Sequence, residues 1–311
     1  MSLERLWHKS YAPGVPTEFE PEKITMAERL SQVAAKYPDR VAFVYMGKKI
    51  TYREYEGLVN RFARALADLG VKEGDKVAML LPNIPQMVIA NHAVYRLGAV
   101  TAMNNPLYTE RELAHQLDDS DATMLVTLDL LLPRALKLKA ETKIRTIITC
   151  HISDYLPFPK KQLFPYVKKA MFRKVEPQPG VYQFMDLIGK YPDMPVENKA
   201  RWDELAALIY TGGTTGVSKG AMLTHANISS VVQQFSAWFP DLKDTYENLL
   251  GIYPIFHSAG YSVGQNLPIW NGWCCTLVPK PEPGAIVEML SKFKPTFLPG
   301  VPTIYTGLLR N

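Results

Sequence analysis

Cysteine is scarce in this 311-residue chain: Cys150, Cys274 and Cys275 are its three, no pair has Cys-x-x-Cys spacing, and two stand adjacent in an apolar run. That pattern argues against a disulfide framework or a thiolate metal site and for buried, reduced thiols. The six histidines are scattered without a His-x-x-x-His or His/Cys cluster, so no protein-built transition-metal site is expected. No run of eighteen apolar residues exists. The best candidate, Val77 to Val100, is interrupted by Pro82, Asn83, Pro85, Asn91, His92 and Arg96, which argues against a transmembrane span. At the N-terminus, charged Glu4, Arg5 and Lys9 have no apolar stretch behind them, so a secretory signal is not expected and a cytoplasmic location is.

With 47% hydrophobic and 21% charged residues, the chain has the composition of a globular protein and is long enough to bury a large core. Its densest stretch of polar, small and basic residues is Tyr210-Thr211-Gly212-Gly213-Thr214-Thr215-Gly216-Val217-Ser218-Lys219-Gly220, set between an apolar run at 205–209 and a helical pattern that opens near Thr224. Glycine lets backbone N–H groups approach an anion, threonine hydroxyls add donors, and a lysine ammonium supplies mobile charge. The composition is that of a polyphosphate cradle, with ATP as the first candidate ligand. The alternative is a plain Gly/Thr turn between strand and helix. The spacing departs from the Walker loop, which needs Gly-Lys-Ser/Thr; here Gly216 and Lys219 are separated by two residues and Gly220 follows the lysine.

Elsewhere the chain alternates strand and helix signals. Thr25, Thr51 and Thr109 each precede a glutamate by three residues in capping-box form. Short apolar runs at 77–81, 99–103, 123–127 and 145–150 alternate with helical patterns at 85–97, 109–117 and 130–139, predicting an α/β fold with parallel sheets and helices on both faces. A hairpin is predicted around Gly47, and further strands at 205–210, 274–278 and 296–298. Two subdomains are expected: residues 1–200, including a long loop at 151–200, and 201–311, which carries the phosphate loop and is incomplete at its C-terminal end.

The formal net charge of +5 is unevenly spread. Residues 131–175 hold eleven of the 35 Lys/Arg against two of the 30 Asp/Glu, leaving 24 against 28 elsewhere. Between 155 and 175, Tyr155, Phe158, Phe164, Tyr166 and Phe172 interleave with lysines. That suits an anionic membrane surface and equally suits a solvated loop with a few packed aromatics.

Tyr210 to Gly220, with Leu223-Thr224-His225 after it, resembles the signature of the adenylate-forming (AMP-binding) superfamily, which contains acyl-CoA synthetases, luciferases and peptide-synthetase adenylation domains. Ser218 stands where many members have proline. Further landmarks run in the family's order through Leu81-Pro82-Asn83, Asn105-Pro106-Leu107-Tyr108-Thr109, Pro254-x-Phe256-His257 and Gly300-Val301-Pro302-Thr303. Gly212, Leu156 to Lys160 and Trp7-x-Lys9-Ser10-Tyr11 look most like long-chain fatty acid:CoA ligases.

The resemblance implies an N-terminal portion of an enzyme that uses ATP, Mg²⁺ and coenzyme A to convert a fatty acid to acyl-AMP and then acyl-CoA. Thr211, Gly212, Gly213, Thr214, Thr215, Gly216 and Lys219 would hold the β- and γ-phosphates, with Lys219 and His257 as catalytic candidates. His257, Tyr261, Gly300, Val301 and Pro302 would lie along the acyl substrate; a structural histidine at 257 and core packing at Tyr261 are the alternatives. An aryl or medium-chain acid would suit the same fold, as would a non-catalytic nucleotide- or membrane-binding module. Amino-acid activators place an aspartate near position 256, and Phe256-His257 offers no acid, which favours a neutral acyl tail. The family's Tyr-Gly-x-Thr-Glu motif, ribose-binding aspartate, hinge and C-terminal catalytic lysine have no counterpart before Asn311, so weak nucleotide binding without a completed reaction is expected of these residues alone. The resemblance implies no nucleic-acid partner, and a homodimer is compatible with it.

Overall fold

A computed structural model describes residues 5–212, 217–242 and 244–310. In chain order the elements are α1 (Met26–Lys36), β1 (Val41–Tyr45), β2 (Lys48–Thr51), α2 (Tyr52–Asp68), β3 (Lys76–Leu80), α3 (Pro85–Arg96), β4 (Val100–Met103), α4 (Glu110–Asp119), β5 (Met124–Leu128), α5 (Leu132–Glu141) and β6 (Thr146–Cys150). There follow α6 (Lys160–Val167), β7 (Val181–Gln183), α7 (Phe184–Lys190), β8 (Leu205–Tyr210), β9 (Gly220–Thr224), α8 (His225–Ala237) and β10 (Asn248–Gly251). A π-helical stretch at Gly260–Asn266 leads into α9 (Leu267–Asn271), and β11 (Cys274–Leu277), α10 (Pro283–Phe293) and α11 (Pro302–Leu309) complete the described chain.

The helix starts follow from local chemistry. Thr25, Thr51 and Thr109 accept from the backbone N–H of Glu28, Glu54 and Glu112, whose carboxylates accept in return from the threonine N–H groups, so each cap satisfies two orphan donors. Thr224 and Asn227 cap α8 in the same reciprocal way, a pair the sequence pattern missed because asparagine replaces the usual Glu/Gln.

Seven strands form one sheet in the order β7-β6-β5-β3-β4-β8-β9, parallel except for β9, and four form a second in the order β10-β11-β1-β2. The strand β9 was not expected, because its half-exposed Gly220–Thr224 lacks the apolar run of a parallel strand; it forms an antiparallel edge against β8. Likewise the expected long loop at 151–200 contains α6, β7 and α7, and three-residue β7 joins the sheet edge through Ile147–Val181 to Thr149–Gln183 pairing. At 296–298 only Phe297 bridges to Leu249, short of a full strand.

Apolar side chains on successive strand residues go to opposite faces. Val77 and Met79 pack into a core shared with α1, α2, α3, α9 and the second sheet, while Ala78 and Leu80 pack under α4 and α5. Helix α3 is buried along its whole length, including Asn91, His92 and Arg96. The Arg96 guanidinium is forked onto Glu56 at 2.8 and 3.0 Å and also reaches Asn60 and Ser31, which keeps its buried charge paired. The sheets do not divide at residue 200: β8 pairs with β4, and β1 pairs with β11. Both sheets therefore mix residues from the two expected subdomains.

Candidate functional site

In the seven-stranded sheet the exits of β3 and β4 diverge, with α3 packed on one face and α4 on the other. A parallel sheet opens a crevice at such a point, at the carboxyl ends of its strands. Beside it β8 ends in Tyr210 and runs into the phosphate loop. The loop's base is closed by Thr211, whose backbone N–H and hydroxyl both donate to the Lys219 carbonyl, at 3.0 and 3.3 Å.

Three side chains of α4 anchor this base. The Tyr210 hydroxyl donates to Asp119 Oδ2 at 2.7 Å, and burial followed by that carboxylate pushes the phenol well above its ordinary pKa. His115 Nε2 donates to the Ser218 carbonyl at 3.1 Å, and Gln116 Nε2 donates to Ser218 Oγ at 3.2 Å. Ser218 thus ties the loop to α4 by its side chain, where a proline would instead fix φ. Nothing in the sequence marked His115, Gln116 or Asp119, because the contacts join residues about a hundred positions apart.

Of the predicted phosphate-binding residues, Gly213, Thr214, Thr215 and Gly216 lie outside the described residues. Thr211 and Gly212 line two adjoining clefts. One, of about 340 Å³, is bounded by Met103, Asn105, Tyr108, Ala221, Phe256 and His257. The other, of about 960 Å³, is bounded by Lys76, His115, Asp119, Val217 and Lys219. Lys219 is exposed and makes no ion pair among the described residues. Lys219 and His257 therefore sit on neighbouring clefts that share the Thr211-Gly212 backbone. This placement sets an ammonium on one cleft and an imidazole on the other.

His257 stands in a tight turn. Its backbone N–H donates to the Pro254 carbonyl at 3.0 Å, and its Nδ1 accepts from the Ala259 N–H at 3.3 Å. An accepting Nδ1 places the proton of the neutral ring on Nε2, so the exposed edge is a hydrogen-bond donor. At Gly260 a Cβ would run into the Pro254 carbonyl, so the turn requires glycine. Asn83, leaving β3, reaches this segment from the other sheet: its Nδ2 donates to the Gly251 and Tyr253 carbonyls at 3.0 and 2.8 Å, and its Oδ1 accepts from Ile255 N–H at 2.9 Å.

The other predicted substrate residues lie elsewhere. Tyr261 is fully buried, its hydroxyl bonded to Tyr95 and, at 3.1 Å, to Thr101 Oγ1, which places it in the core behind the cleft. Gly300, Val301 and Pro302 are absent from the cleft lining among the described residues. The space a Cβ would fill at Gly300 is taken by the Tyr305 ring, whose hydroxyl donates to the Leu298 carbonyl at 3.0 Å. Two buried histidines flank the cleft's supporting core: burial lowers His92 to about 3 and His225 to about 4, keeping both neutral. Among the described residues no group of three His, Cys, Asp or Glu could hold a metal ion, and no helix is long and apolar enough to cross a membrane.

Known proteins share this fold and much of this sequence. A long-chain-fatty-acid–CoA ligase of Bacillus subtilis (strain 168) is 36% identical over 100% of this chain and 56% of its own length, and one of Escherichia coli O157:H7 is 34% identical over 99% and 56%. The crystal structure of ATP-bound MatB from Rhodopseudomonas palustris superposes with a TM-score of 0.73 at 26% identity, covering 92% of this chain and 51% of that one. A long-chain-fatty-acid-CoA ligase from Archaeoglobus fulgidus shares the fold, with a TM-score of 0.79 at 24% identity over 96% and 56%. The chain thus spans about half the length of the relatives it matches. The family of AMP-binding enzymes matches residues 30–311, and the chain belongs to that family.

Proposed function

We propose that the complete protein is an ATP-dependent long-chain fatty acid:CoA ligase and that this chain supplies the loop and one wall of its adenylation site. The observation that carries the reading is the base of the phosphate loop at the carboxyl end of β8, tethered to α4, with Lys219 lining the cleft beside it. In the first half-reaction a fatty carboxylate oxygen bonds to the α-phosphorus of ATP, the bond to the bridging oxygen breaks, and pyrophosphate leaves. In the second, the coenzyme A sulfur attacks the acyl carbon, AMP departs with the electron pair of the C–O bond, and the thiol loses its proton.

Negative charge concentrates on the departing pyrophosphate in the first step. Lys219 and the N–H groups of the glycine-rich loop would meet it with positive charge. Thr211 spends its donors on the Lys219 carbonyl, so its part is to hold the loop closed. His257 lines the adjoining cleft, and with Nδ1 accepting from Ala259 N–H its Nε2–H would be the group that donates to the fatty carboxylate, orienting it towards the α-phosphorus. Mg²⁺ would enter on the nucleotide's own phosphates, where it supplies charge neutralisation; the described residues offer it no carboxylate cluster.

Fatty-acid-dependent ATP–pyrophosphate exchange by the full-length protein tests the reading. Exchange with long-chain acids and none with amino acids supports it, and the reverse preference contradicts it.

Tyr155, Leu156 and Phe164 of the 155–175 segment are buried, and its remaining exposed residues support a membrane-touching edge. Phe158 is 83%, Tyr166 75% and Val167 70% exposed beside Lys160, Lys161, Lys168 and Lys169, an apolar and basic edge that an anionic leaflet would hold. Co-flotation with anionic but not neutral vesicles, weakening with salt, is the expected result. Indifference to both vesicle types removes the membrane from the account.

A further inference from the structure

Asn83 is placed where one side chain joins the two walls of the cleft. Its relative exposure is only 3%, and every polar atom of its amide is used. Its three partners are the carbonyls of Gly251 and Tyr253 and the N–H of Ile255, alternate backbone groups of the segment that leaves β10. A neighbouring strand would satisfy the same groups in a continuing ladder. Here β10 is the edge strand of its sheet, and on its other flank Thr296 and Phe297 bond to Asn248 and Leu250 but do not reach residues 252–255 among the described residues. Beyond Gly251, whose carbonyl also accepts from Val278 N–H, the Tyr253 carbonyl and Ile255 N–H are met by a side chain from the other sheet.

What that segment carries is Phe256 and His257, which line the cleft opposite Tyr108, Thr211 and Gly212. Asn83 itself follows β3, whose neighbour β4 leads into Asn105 and Tyr108 and whose next neighbour β8 leads into Thr211. One wall is thus built on the parallel ladder that contains β3, and the other is pinned to the end of that same strand by an amide. A carboxamide matches these partners, since its two donors and one acceptor meet two carbonyls and an N–H. A carboxylate of the same shape would set charge against two carbonyl oxygens.

We propose that Asn83 is a positioning residue that holds the His257 turn opposite Thr211 and Gly212, and so governs capture of the fatty carboxylate without touching it. The proposal rests on the ligase reading for its kinetic consequence, while its geometric part stands apart from that reading.

Two measurements on the full-length protein separate these. Hydrogen exchange of Asn83→Ala reads the geometry: the Ile255 amide is expected to lose at least tenfold protection while the amides of β3 and β8 keep theirs. Unchanged protection at Ile255, or equal loss throughout, overturns the proposal whatever the enzyme's substrate. Kinetically, Asn83→Ala should raise KM for the fatty acid about tenfold with KM for ATP within twofold, and Asn83→Asp should do worse than Asn83→Ala despite its matching shape. A cycle with His257→Ala completes the test. If Asn83 acts through His257, the double variant is no more impaired than His257→Ala alone, whereas multiplicative losses contradict it. A wild-type protein without exchange on any fatty acid would sink the ligase reading and leave the Ile255 result to decide the geometric one.

Discussion

The two walls of the cleft are built by different means. On the phosphate-loop side, β8 is paired with β4 on one flank and β9 on the other, and the loop's base is tied to α4 through Tyr210–Asp119, His115–Ser218 and Gln116–Ser218. On the His257 side, the chain leaves edge strand β10 and is held by Asn83 and by a turn that only Gly260 permits. A ladder distributes its hold over many backbone bonds, so the loss of one is modest. A turn held by one amide and one missing Cβ concentrates it. Substitutions on the second wall should therefore cost more per residue than those on the first.

Acid breaks what the walls share. His92 and His225 sit in the core behind both, with pKa values lowered by burial to about 3 and about 4. Since the unfolded chain binds protons below pH 6.5 and the folded chain does not, the stability these two give is present above that pH. It is lost as pH falls towards 4, by on the order of 2–3 kcal/mol for each histidine at pH 4.5. Urea midpoints should fall across that window, with a flatter slope in His225→Gln. At His151 burial lowers the pKa, but the hydrogen bond and charge of Asp129 prevail and raise it, so His151 loses its contribution only as the pH rises above 6.5.

Gly260→Ala strikes the His257 wall alone. A Cβ against the Pro254 carbonyl should destabilise by about 3 kcal/mol and displace the turn, read as a lower urea midpoint and a raised KM for the acid. On the loop wall, Thr224→Ala removes one half of the α8 capping box and should cost about 1 kcal/mol by the same measurement. Ser218→Ala deletes a single exchangeable tether to Gln116, with an expected loss of about 0.5 kcal/mol and little change in kinetics. If Ser218→Ala proved worse than Gly260→Ala, the contrast between the walls would be wrong.

The sequence exposed the first wall better than the second. Apolar runs at β3, β4, β5 and β8 and three Thr/Glu boxes are local signals, and the structure forms those strands and helices. The resemblance of Tyr210 to Gly220 pointed to the AMP-binding family, and the family match agrees with it. What stayed hidden depends on distant partners. Strand β9 has no apolar run of its own, β7 is three residues long, and the sheets recruit strands from both sides of residue 200. Asn83 stood out only as part of a three-residue landmark, since its partners lie about 170 positions away. Tyr261 and Gly300 illustrate the converse. Tyr261 reads as a substrate residue from its place four residues after His257, and Gly300 from the family resemblance; the Tyr261 side chain is enclosed in the core, and the space beside Gly300 holds Tyr305.

The central claim is that the loop between β8 and β9 stabilises pyrophosphate as it leaves. The direct measurement is fatty-acid-dependent ATP–pyrophosphate exchange by the full-length protein and its Lys219→Ala variant, alongside fatty acid binding by calorimetry. Exchange is expected to fall by roughly 10²–10³, about 3–4 kcal/mol of lost transition-state stabilisation, while fatty acid affinity stays within about threefold. Equal losses in exchange and in binding would make Lys219 a structural residue and contradict the claim.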